Sequence, residues 1–353
     1  MSSTLKEQVR SLWDKCFLEE DKRFVDFYCR KRYEENDNIF IEKDNKVVSA
    51  LQLISYPFSY YGKTIGCSFI SGACTDPEYR SQGMMNKLIL KSLKKAKNNG
   101  ACFAALIPAS ESLFKYYSGS NFVNIFDYSK IRINKAKANE QHAFSCNITT
   151  FDGSYEIYEY FNEKMRNRNC CIQHNEYDFG VIAEYLEMFD NYLLVAKYGE
   201  DVCGLAFCCL RNGEIYIKDV FAESAEILSD LITSASKLFN NEYINIIVPP
   251  VSGQKTHHLG MVRIIDAETM LRIYATTHPK LKMEISLVDP ILTENNGTYY
   301  INNGILEKKD SIGANVVDIE QLTQALFGYH TEMLPDKLKS FNNQAAFMSL
   351  MLD

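Results

Sequence analysis

Residues 75–85, TDPEYRSQGMM, join an extended apolar run (64–75) to a run with helical spacing (84–97). The second run keeps its apolar residues on one side and its lysines largely on the other, which predicts an amphipathic helix. A helix N-terminus carries free N–H groups and a partial positive charge, so it attracts anions. Gly83 lets a ligand approach the backbone closely, and Arg80 can add charge. The stretch therefore predicts a strand–turn–helix unit with an anion seat.

The elements around this stretch predict one compact α/β unit, residues 1–135. Apolar residues at helical spacing indicate an N-terminal helix. Two extended runs joined by an Asp-Asn turn indicate a β-hairpin. After the helix predicted over 84–97, two further strands and a short helix are indicated. The predicted elements are a helix over 3–17, strands over 38–42, 47–54, 64–75, 102–107 and 122–133, and helices over 84–97 and 111–118.

A similar order returns after a polar segment, 135–141, which we interpret as a linker. The expected elements are a helix over 154–166, strands over 192–197, 202–209, 214–220 and 244–248, and a helix over 225–239. Only 221–224 separate strand from helix here, so nothing corresponds to the 80–85 loop. This second domain, 136–255, is predicted to be a degenerate copy that has lost the phosphate cradle.

The chain changes character again in a third predicted domain, residues 256–353. The expected elements are helices over 267–277, 319–327 and 335–348, and strands over 281–287 and 297–302. His257 and His258, at its start, are interpreted as a polar connector. The fold class is mixed, α/β with α+β character.

Composition excludes several kinds of function. The 353 residues carry a formal net charge of −7, which argues against general nucleic-acid binding. No apolar run approaches the length of a membrane span, and the N-terminus is unlike a signal peptide, so we expect a cytoplasmic protein without a membrane partner. The eleven cysteines and six histidines show no zinc-ligand spacing, which predicts reduced cysteines and no metal.

The motif Arg-x-x-Gly-x-Met over 80–85 resembles the acetyl-CoA motif of GNAT acetyltransferases, [Arg/Gln]-x-x-Gly-x-[Gly/Ala]. Met85 departs from the final small residue, as in the enhanced-intracellular-survival (Eis) branch, where a bulky apolar residue stands there. Residues 106–122 resemble the Ser-Glu…Tyr…Phe segment of that branch. The resemblance implies tandem GNAT folds followed by a sterol-carrier-protein-like domain, and an acetyl-CoA-dependent N-acetyltransferase.

The resemblance and the chemistry together indicate site residues. Backbone groups of the long strand are expected to bind the pantetheine arm or the thioester carbonyl, and the loop and helix start to bind the pyrophosphate. These cofactor-binding candidates are Ala73, Cys74, Thr75, Arg80, Ser81, Gln82, Gly83, Met84 and Met85. The resemblance assigns the general acid to Tyr117, with Tyr116 as the alternative one position away; packing under a loop is the other interpretation of this pair.

For the base, the resemblance suggests the chain's own C-terminus. The apolar tail 347–352 could be buried and bring Asp353 to the site with two carboxylates, one of which would have a raised pKa. The alternative is an ordinary solvated chain end. Cys74 would lie beside the thioester, where an acyl-cysteine is conceivable, although a buried strand cysteine is the simpler interpretation.

The predicted reaction is direct acetyl transfer from acetyl-CoA to a primary amine, either of a small molecule such as a polyamine or aminoglycoside-like amine, or of a peptide lysine. Transfer of another acyl group, or CoA or lipid binding without catalysis, are the alternatives. The aromatic stretch 56–61 is expected to line the acceptor pocket rather than to pack the hairpin. By the same resemblance we expect a homo-oligomer, possibly a hexamer.

Overall fold

The structure, a computed structural model, describes residues 4–134, 146–241 and 243–352, so the predicted linker 135–141 and Asp353 lie outside the described residues. Its helices are α1 (Leu5–Cys16), α2 (Lys22–Lys31), α3 (Met84–Asn98), α4 (Glu111–Ser118), α5 (Tyr155–Arg166), α6 (Glu176–Met188), α7 (Ala225–Phe239), α8 (Ala267–Thr277) and α9 (Ile319–Leu326).

The strands alternate with these helices. They are β1 (Asn38–Lys43), β2 (Lys46–Tyr60), β3 (Lys63–Thr75), β4 (Phe103–Leu106), β5 (Val123–Asn134), β6 (Asn147–Thr150), β7 (Cys171–Ile172), β8 (Tyr192–Tyr198), β9 (Asp201–Arg211), β10 (Glu214–Ala222), β11 (Tyr243–Val248), β12 (Thr256–Ile264), β13 (Met283–Val288), β14 (Gly297–Asn302), β15 (Ile305–Lys309) and β16 (Val316–Asp318).

The chain forms two compact units that do not follow chain order. The first unit combines the N-terminal residues up to Ile125 with 259–346, and the second combines 126–258 with 347–352. Most of β5 therefore belongs to the second unit, and most of β12 to the first. The sequence-based division at residues 135 and 255 stays a prediction about domain boundaries.

The main sheet of the first unit has the order β1-β2-β3-β4-β12, with all neighbours antiparallel except the parallel pair β3–β4. One residue of β2 opposes two of β3 between the pairs Ala50–Cys74 and Gln52–Ser71, which is a β-bulge. α3 packs its apolar stripe on one face of the sheet, and α1 and α2 cover the other.

The second unit repeats this plan. Its sheet has the order β5-β11-β10-β9-β8-β6, and here too the third strand of the repeat, β10, runs parallel to the strand that follows its helix, β11. The register of β10 also shifts, between Ile217 and Asp219. α5 and α6 pack on one face and α7 on the other. The order of elements predicted for the copy is thus present.

A smaller sheet, β15-β14-β13-β16, completes the first unit together with α8 and α9. It corrects the expectation for 56–61. Residues 56–60 continue strand β2, the buried Tyr60 hydroxyl donates to Leu326 O (2.9 Å), and Phe58 packs edge-on against Phe103 and beside Phe327. The aromatic stretch is core between the main sheet and α9, and it does not line the cavity described below.

The predicted helix over 335–348 is wrong. The structure has one short 3₁₀ turn there, Asp336–Leu338, followed by irregular backbone. The amides of this stretch bond to groups distant in sequence: Asn342 N–H to Tyr274 Oη, Gln344 N–H to Gly328 O, and Phe347 N–H to Cys170 O, each at 3.0 Å. These bonds replace the i to i−4 bonds of a helix.

Two helices were missed from the sequence, α2 and α6. Both begin at a side-chain cap, Asp21 and Asn175 respectively, and α2 buries Val25, Tyr28 and Cys29 at helical spacing. Cap and spacing together could have revealed them. None of the helices formed by the described residues is long and apolar enough to cross a membrane.

Candidate active site

A cavity of about 620 Å³ opens in the first unit where the end of α1, the end of β3, the start of α3 and α4 meet. Most of the predicted site residues line it: Ala73, Cys74, Thr75, Arg80, Ser81, Gly83, Met84, Met85, Tyr116 and Tyr117. Gln82 belongs to the same loop but is not among the lining residues. The structure therefore brings the strand, the loop and the tyrosine pair together around one space.

The strand side of the cavity is shaped by the bulge in β3. Gly72 has φ +58°, and a Cβ there would lie 2.0 Å from the Trp13 ring, so only glycine allows α1 to pack this closely. Three residues later the carbonyl of Thr75 accepts hydrogen bonds from Arg80 Nε (3.2 Å) and Cys16 Sγ (3.3 Å). The end of β3 is thereby held to both α1 and the loop.

The helix side of the cavity is an N-terminus without a cap. Gly83 adopts φ +71°, makes no side-chain cap, and a Cβ built on it would meet no atom within 4 Å. The hydrogen bond from Lys87 N–H to Gly83 O (3.1 Å) is the first that closes a turn of the helix. The backbone amides that precede Lys87 in this turn therefore have no acceptor within the helix. No acidic residue stands in the first turn. Open space, free amides and the helix dipole suit a bound anion.

The corresponding helix of the second unit is closed at the same place. Ser224 caps α7 by accepting from Ile227 N–H (3.3 Å), and Glu226 stands in its first turn. The cap occupies an amide that a phosphate would need, and the carboxylate repels an anion. The loss of the phosphate cradle in the copy stays a prediction, and the Ser224 cap and Glu226 are in accord with it.

The two tyrosines of α4 differ in environment. Tyr117 is 7% exposed and packs in the core under α3, whereas Tyr116 is 43% exposed. Burial, with the neighbouring Tyr116 and Cys74, raises the pKa of Tyr117 to about 12. Its phenol is therefore protonated at neutral pH and can donate a proton into the cavity.

The turn after α4 is supported by a fully buried ion pair. Arg263 of β12 donates from Nε to Ser120 O (3.0 Å) and from Nη2 to Asp289 (2.6 Å), and neither side chain is exposed. Ser120 in turn contacts Asn86 Oδ1 on α3 (3.3 Å) and donates its N–H to Tyr117 O (2.9 Å). The residues after 259 thereby support the turn that follows the tyrosine.

Sequence reasoning missed several lining residues, among them Cys16, Phe17, Asn86 and Ser120. Cys16 is the last residue of α1, and no motif marked it because its position depends on how α1 packs across β3. Hydrogen bonding from the Cys74 thiol and the nearby Arg80 guanidinium lower the pKa of Cys16 to about 7. In the structure the cysteines are all free thiols.

The tail 347–352 is buried, as expected, and its described contacts lie in the second unit. Phe347 forms a bridge to Cys171, the Ser349 hydroxyl donates to Asp219 (2.7 Å), and Leu350 joins the core beneath α5 and α6. Arg168 forms a bidentate pair with the same Asp219 (2.6 and 2.8 Å). Asp353 lies outside the described residues, so its role as base stays a prediction.

The comparisons with known proteins agree with this geometry. Residues 1–122 match the family model described as the acetyltransferase (GNAT) domain. The first third of the chain is therefore a GNAT acetyltransferase domain, and the protein is an enzyme of the N-acetyltransferase class. Among curated proteins, none matches the sequence.

Solved structures share the fold over almost the entire chain. A GCN5-related N-acetyltransferase from Kribbella flavida is 17% identical, with a TM-score of 0.77 over 100% of this chain and 97% of its own. One from Anabaena variabilis ATCC 29413 is 15% identical, with a TM-score of 0.79 over 99% and 98%. Eis1 from Mycobacterium abscessus is 10% identical, with a TM-score of 0.75 over 98% and 97%.

These likenesses confirm the predicted mixed α/β fold with GNAT-type architecture. At such identities they extend to the fold only, and the sterol-carrier-protein-like third domain stays a prediction. Within the described residues, no cluster of three or more His, Cys, Asp or Glu side chains is placed to hold a metal ion.

Proposed function

We propose that the protein transfers the acetyl group of acetyl-CoA to a primary amine in the cavity of the first unit. One observation carries the proposal: the uncapped, acid-free N-terminus of α3 opens into the same cavity as the buried, protonated Tyr117. The helix N-terminus can bind the pyrophosphate of a CoA thioester. The tyrosine in the same cavity can donate a proton to the departing CoA thiolate.

In this proposal the pyrophosphate of acetyl-CoA binds the amides at Gly83, Met84 and Met85, and Arg80 adds positive charge from the loop. The pantetheine arm follows the end of β3 along Ala73, Cys74 and Thr75. The bulge takes Gly72 and Ala73 out of regular pairing with β2, so the backbone of Ala73 can face the arm. No metal takes part in this arrangement.

The transfer then needs two proton movements. The neutral amine attacks the thioester carbonyl, the C–S bond breaks, and Tyr117 donates its proton to the departing CoA sulfur. The amine must lose a proton to a base. None of the described residues that line the cavity is Asp, Glu or His. The proton can pass to a water chain or to a carboxylate from outside this lining, and we propose that the carboxylates of Asp353 receive it.

The proposal is tested by measuring CoA release from acetyl-CoA against a panel of polyamines, aminoglycosides and lysine peptides. CoA is detected by chromatography, because the protein's own thiols would react with a thiol dye. We expect turnover with at least one amine. Tyr117→Phe should lower kcat by about 10²-fold or more, within the range of general acid catalysis.

Tyr116→Phe is the matched control, since it removes the neighbouring hydroxyl from the same helix and should leave kcat within about twofold. If Tyr116→Phe carries the loss instead, the acid is Tyr116. If acetyl-CoA binds and no amine is acetylated, the protein binds CoA without this catalysis or transfers another acyl group.

The role of the C-terminus needs its own variants. Deleting Leu352 and Asp353 moves the terminal carboxylate back by two residues, and Asp353→Asn removes only the side-chain charge. We expect the deletion to reduce kcat by about 10²-fold. A loss in Asp353→Asn of the same size would assign the base to the side chain, and full activity there would assign it to the α-carboxylate. Unchanged activity in both would contradict a C-terminal base.

A further inference from the structure

Two thiols from different elements meet at the wall of the first-unit cavity. Cys16 ends α1, Cys74 lies near the end of β3, and both line the cavity. Thr75, whose carbonyl the Cys16 thiol contacts, is the next residue after Cys74, and the interaction with Cys74 lowers the pKa of Cys16. Cys16 also donates to Thr75 O (3.3 Å), so its side chain is held over the strand. The chemistry proposed above uses neither thiol.

The surroundings divide the pair into a nucleophile and a buried partner. Cys16 is half-buried, while Cys74 is 6% exposed. Hydrogen bonding from Cys74 and the guanidinium of Arg80 lower the pKa of Cys16, and the hydrogen bond to Cys16 and burial raise the pKa of Cys74. Asp76 acts in the opposite direction on Cys16, but Lys15 pairs with that carboxylate at 2.7 Å.

We propose that Cys16 and Cys74 are an oxidative modification site, at which hydrogen peroxide converts the two thiols into a disulfide. The Cys16 thiolate attacks one peroxide oxygen, the O–O bond breaks, and the hydroxide released takes up a proton as water. The Cys74 sulfur then attacks the resulting sulfenic acid, and its proton leaves with the hydroxyl as a second water. Two thiols are oxidised and one peroxide is reduced.

The disulfide would join the last turn of α1 to β3 and remove the thiolate from beside Arg80. It would form on the cavity wall, where a peroxide can enter. The inference goes beyond the proposed acetyl transfer and does not depend on it, because disulfide formation is measured directly on the protein.

The second unit offers a natural comparison. Burial raises the pKa of Cys203, and the interaction with the Cys146 thiol acts in the opposite direction. Cys146 itself lies 3.6 Å from the Asp230 carboxylate. A carboxylate disfavours the thiolate that a guanidinium would stabilise. We expect this pair to oxidise much more slowly than Cys16 and Cys74.

The experiment treats the reduced full-length protein with hydrogen peroxide, blocks free thiols with an alkylating agent, and maps the peptides by mass spectrometry. We expect a peptide pair joined through Cys16 and Cys74 that has lost two hydrogens and is released by dithiothreitol. Unmodified thiols, a disulfide formed equally fast between Cys146 and Cys203, or Cys16 oxidised beyond sulfenic acid without a disulfide would each overturn the proposal.

Variants and kinetics test the same pair independently. Cys16→Ser and Cys74→Ala should abolish the cross-link, whereas Cys29→Ser, in the same apolar cluster, should leave it unchanged. Iodoacetamide should alkylate Cys16 about tenfold faster than Cys29 at pH 7, because burial raises the pKa of Cys29.

The pH dependence of this alkylation is expected to have its midpoint near 7, where the Cys16 thiolate forms. In Cys74→Ala the midpoint should move to higher pH because the hydrogen bond is lost. Equal rates at Cys16 and Cys29, or an unchanged midpoint in Cys74→Ala, would contradict the proposed pairing.

Discussion

The two units contain the same strand-to-helix connection, but the helix N-termini at the end of these connections differ in their capping and charge. In the first, β3 passes through the 76–83 loop to an α3 that has neither a cap nor an acid in its first turn. In the second, β10 reaches α7 through a short turn, Ser224 caps the helix terminus, and Glu226 stands in the first turn. Both connections lead to a strand parallel to the one before, so the backbone plan is shared.

The difference shows that a strand-to-helix connection does not by itself create an anion-binding site. An anion can bind a helix N-terminus only where the chain leaves the amides free. The first unit also continues from β4 into α4 with its tyrosines, whereas the second passes from β11 through the turn 249–255 into β12. Within the described residues, the repeat therefore has no counterpart of the tyrosine helix α4 or of the uncapped start of α3.

The largest effect is expected from making the first connection resemble the second. Met85 is the second residue of α3, as Glu226 is of α7. Met85→Glu should weaken acetyl-CoA binding about 10²-fold, because the carboxylate repels the phosphates and interacts with the same dipole. The measurement is Kd by isothermal titration calorimetry.

Met85→Gln is the control of matched size without the charge, and should change Kd by less than about fivefold. Equal losses in the two variants would mean that shape rather than charge is decisive. Unchanged binding in Met85→Glu would place the phosphates elsewhere.

A smaller effect is expected from the loop glycine. Gly83→Ala must adopt φ +71°, which is strained for any residue with a Cβ. We expect acetyl-CoA affinity to fall about tenfold as the loop relaxes away from this conformation. The fold should survive, because the added Cβ meets open space.

Gly100→Ala provides the matched control at the other end of α3. It has φ +77° and equally open surroundings, so the strain is comparable while the position is remote from the anion seat. Stability measured by urea denaturation should fall similarly in both variants, and only Gly83→Ala should lose affinity. A similar loss of affinity in Gly100→Ala would show that helix stability is being measured instead.

The smallest effect is expected in the second unit. Ser224→Ala removes the α7 cap and should lower the free energy of unfolding by about 1 kcal/mol. The stoichiometry of acetyl-CoA should remain one per chain, since Glu226 still repels an anion. Binding of a second acetyl-CoA would contradict the interpretation that Glu226, in addition to the Ser224 cap, prevents anion binding at α7.

Much of the fold could be predicted from local pattern. The helices at 111–118, 225–239 and 267–277 begin and end where the sequence indicated, because caps and apolar spacing are encoded within each segment. The predicted anion seat is equally local, since Gly83 and Arg80 belong to one loop, and its role stays a prediction. These features depend on residues a few positions apart, and the chain itself places them together.

The rest required the tertiary structure. Three features depend on partners that are far away in sequence. Most of β5 belongs to the second unit and most of β12 to the first, residues 56–60 are buried beneath α9, and 339–346 follow an irregular course. No local pattern records them, because apolar and amide groups bond equally well to any segment that the fold brings near.

The residues around the cavity fall into the same two groups, those that the sequence predicted and those that the tertiary structure placed there. Its loop, strand end and tyrosine were determined by the sequence, each within its own segment. The placement of the Cys16 thiol over the end of β3 and the support of the Ser120 turn by Arg263 were decided only by the tertiary structure. Their physical reason is packing: α1 crosses β3 where Gly72 makes room for Trp13, and β12 pairs with β4 so that Arg263 reaches the turn.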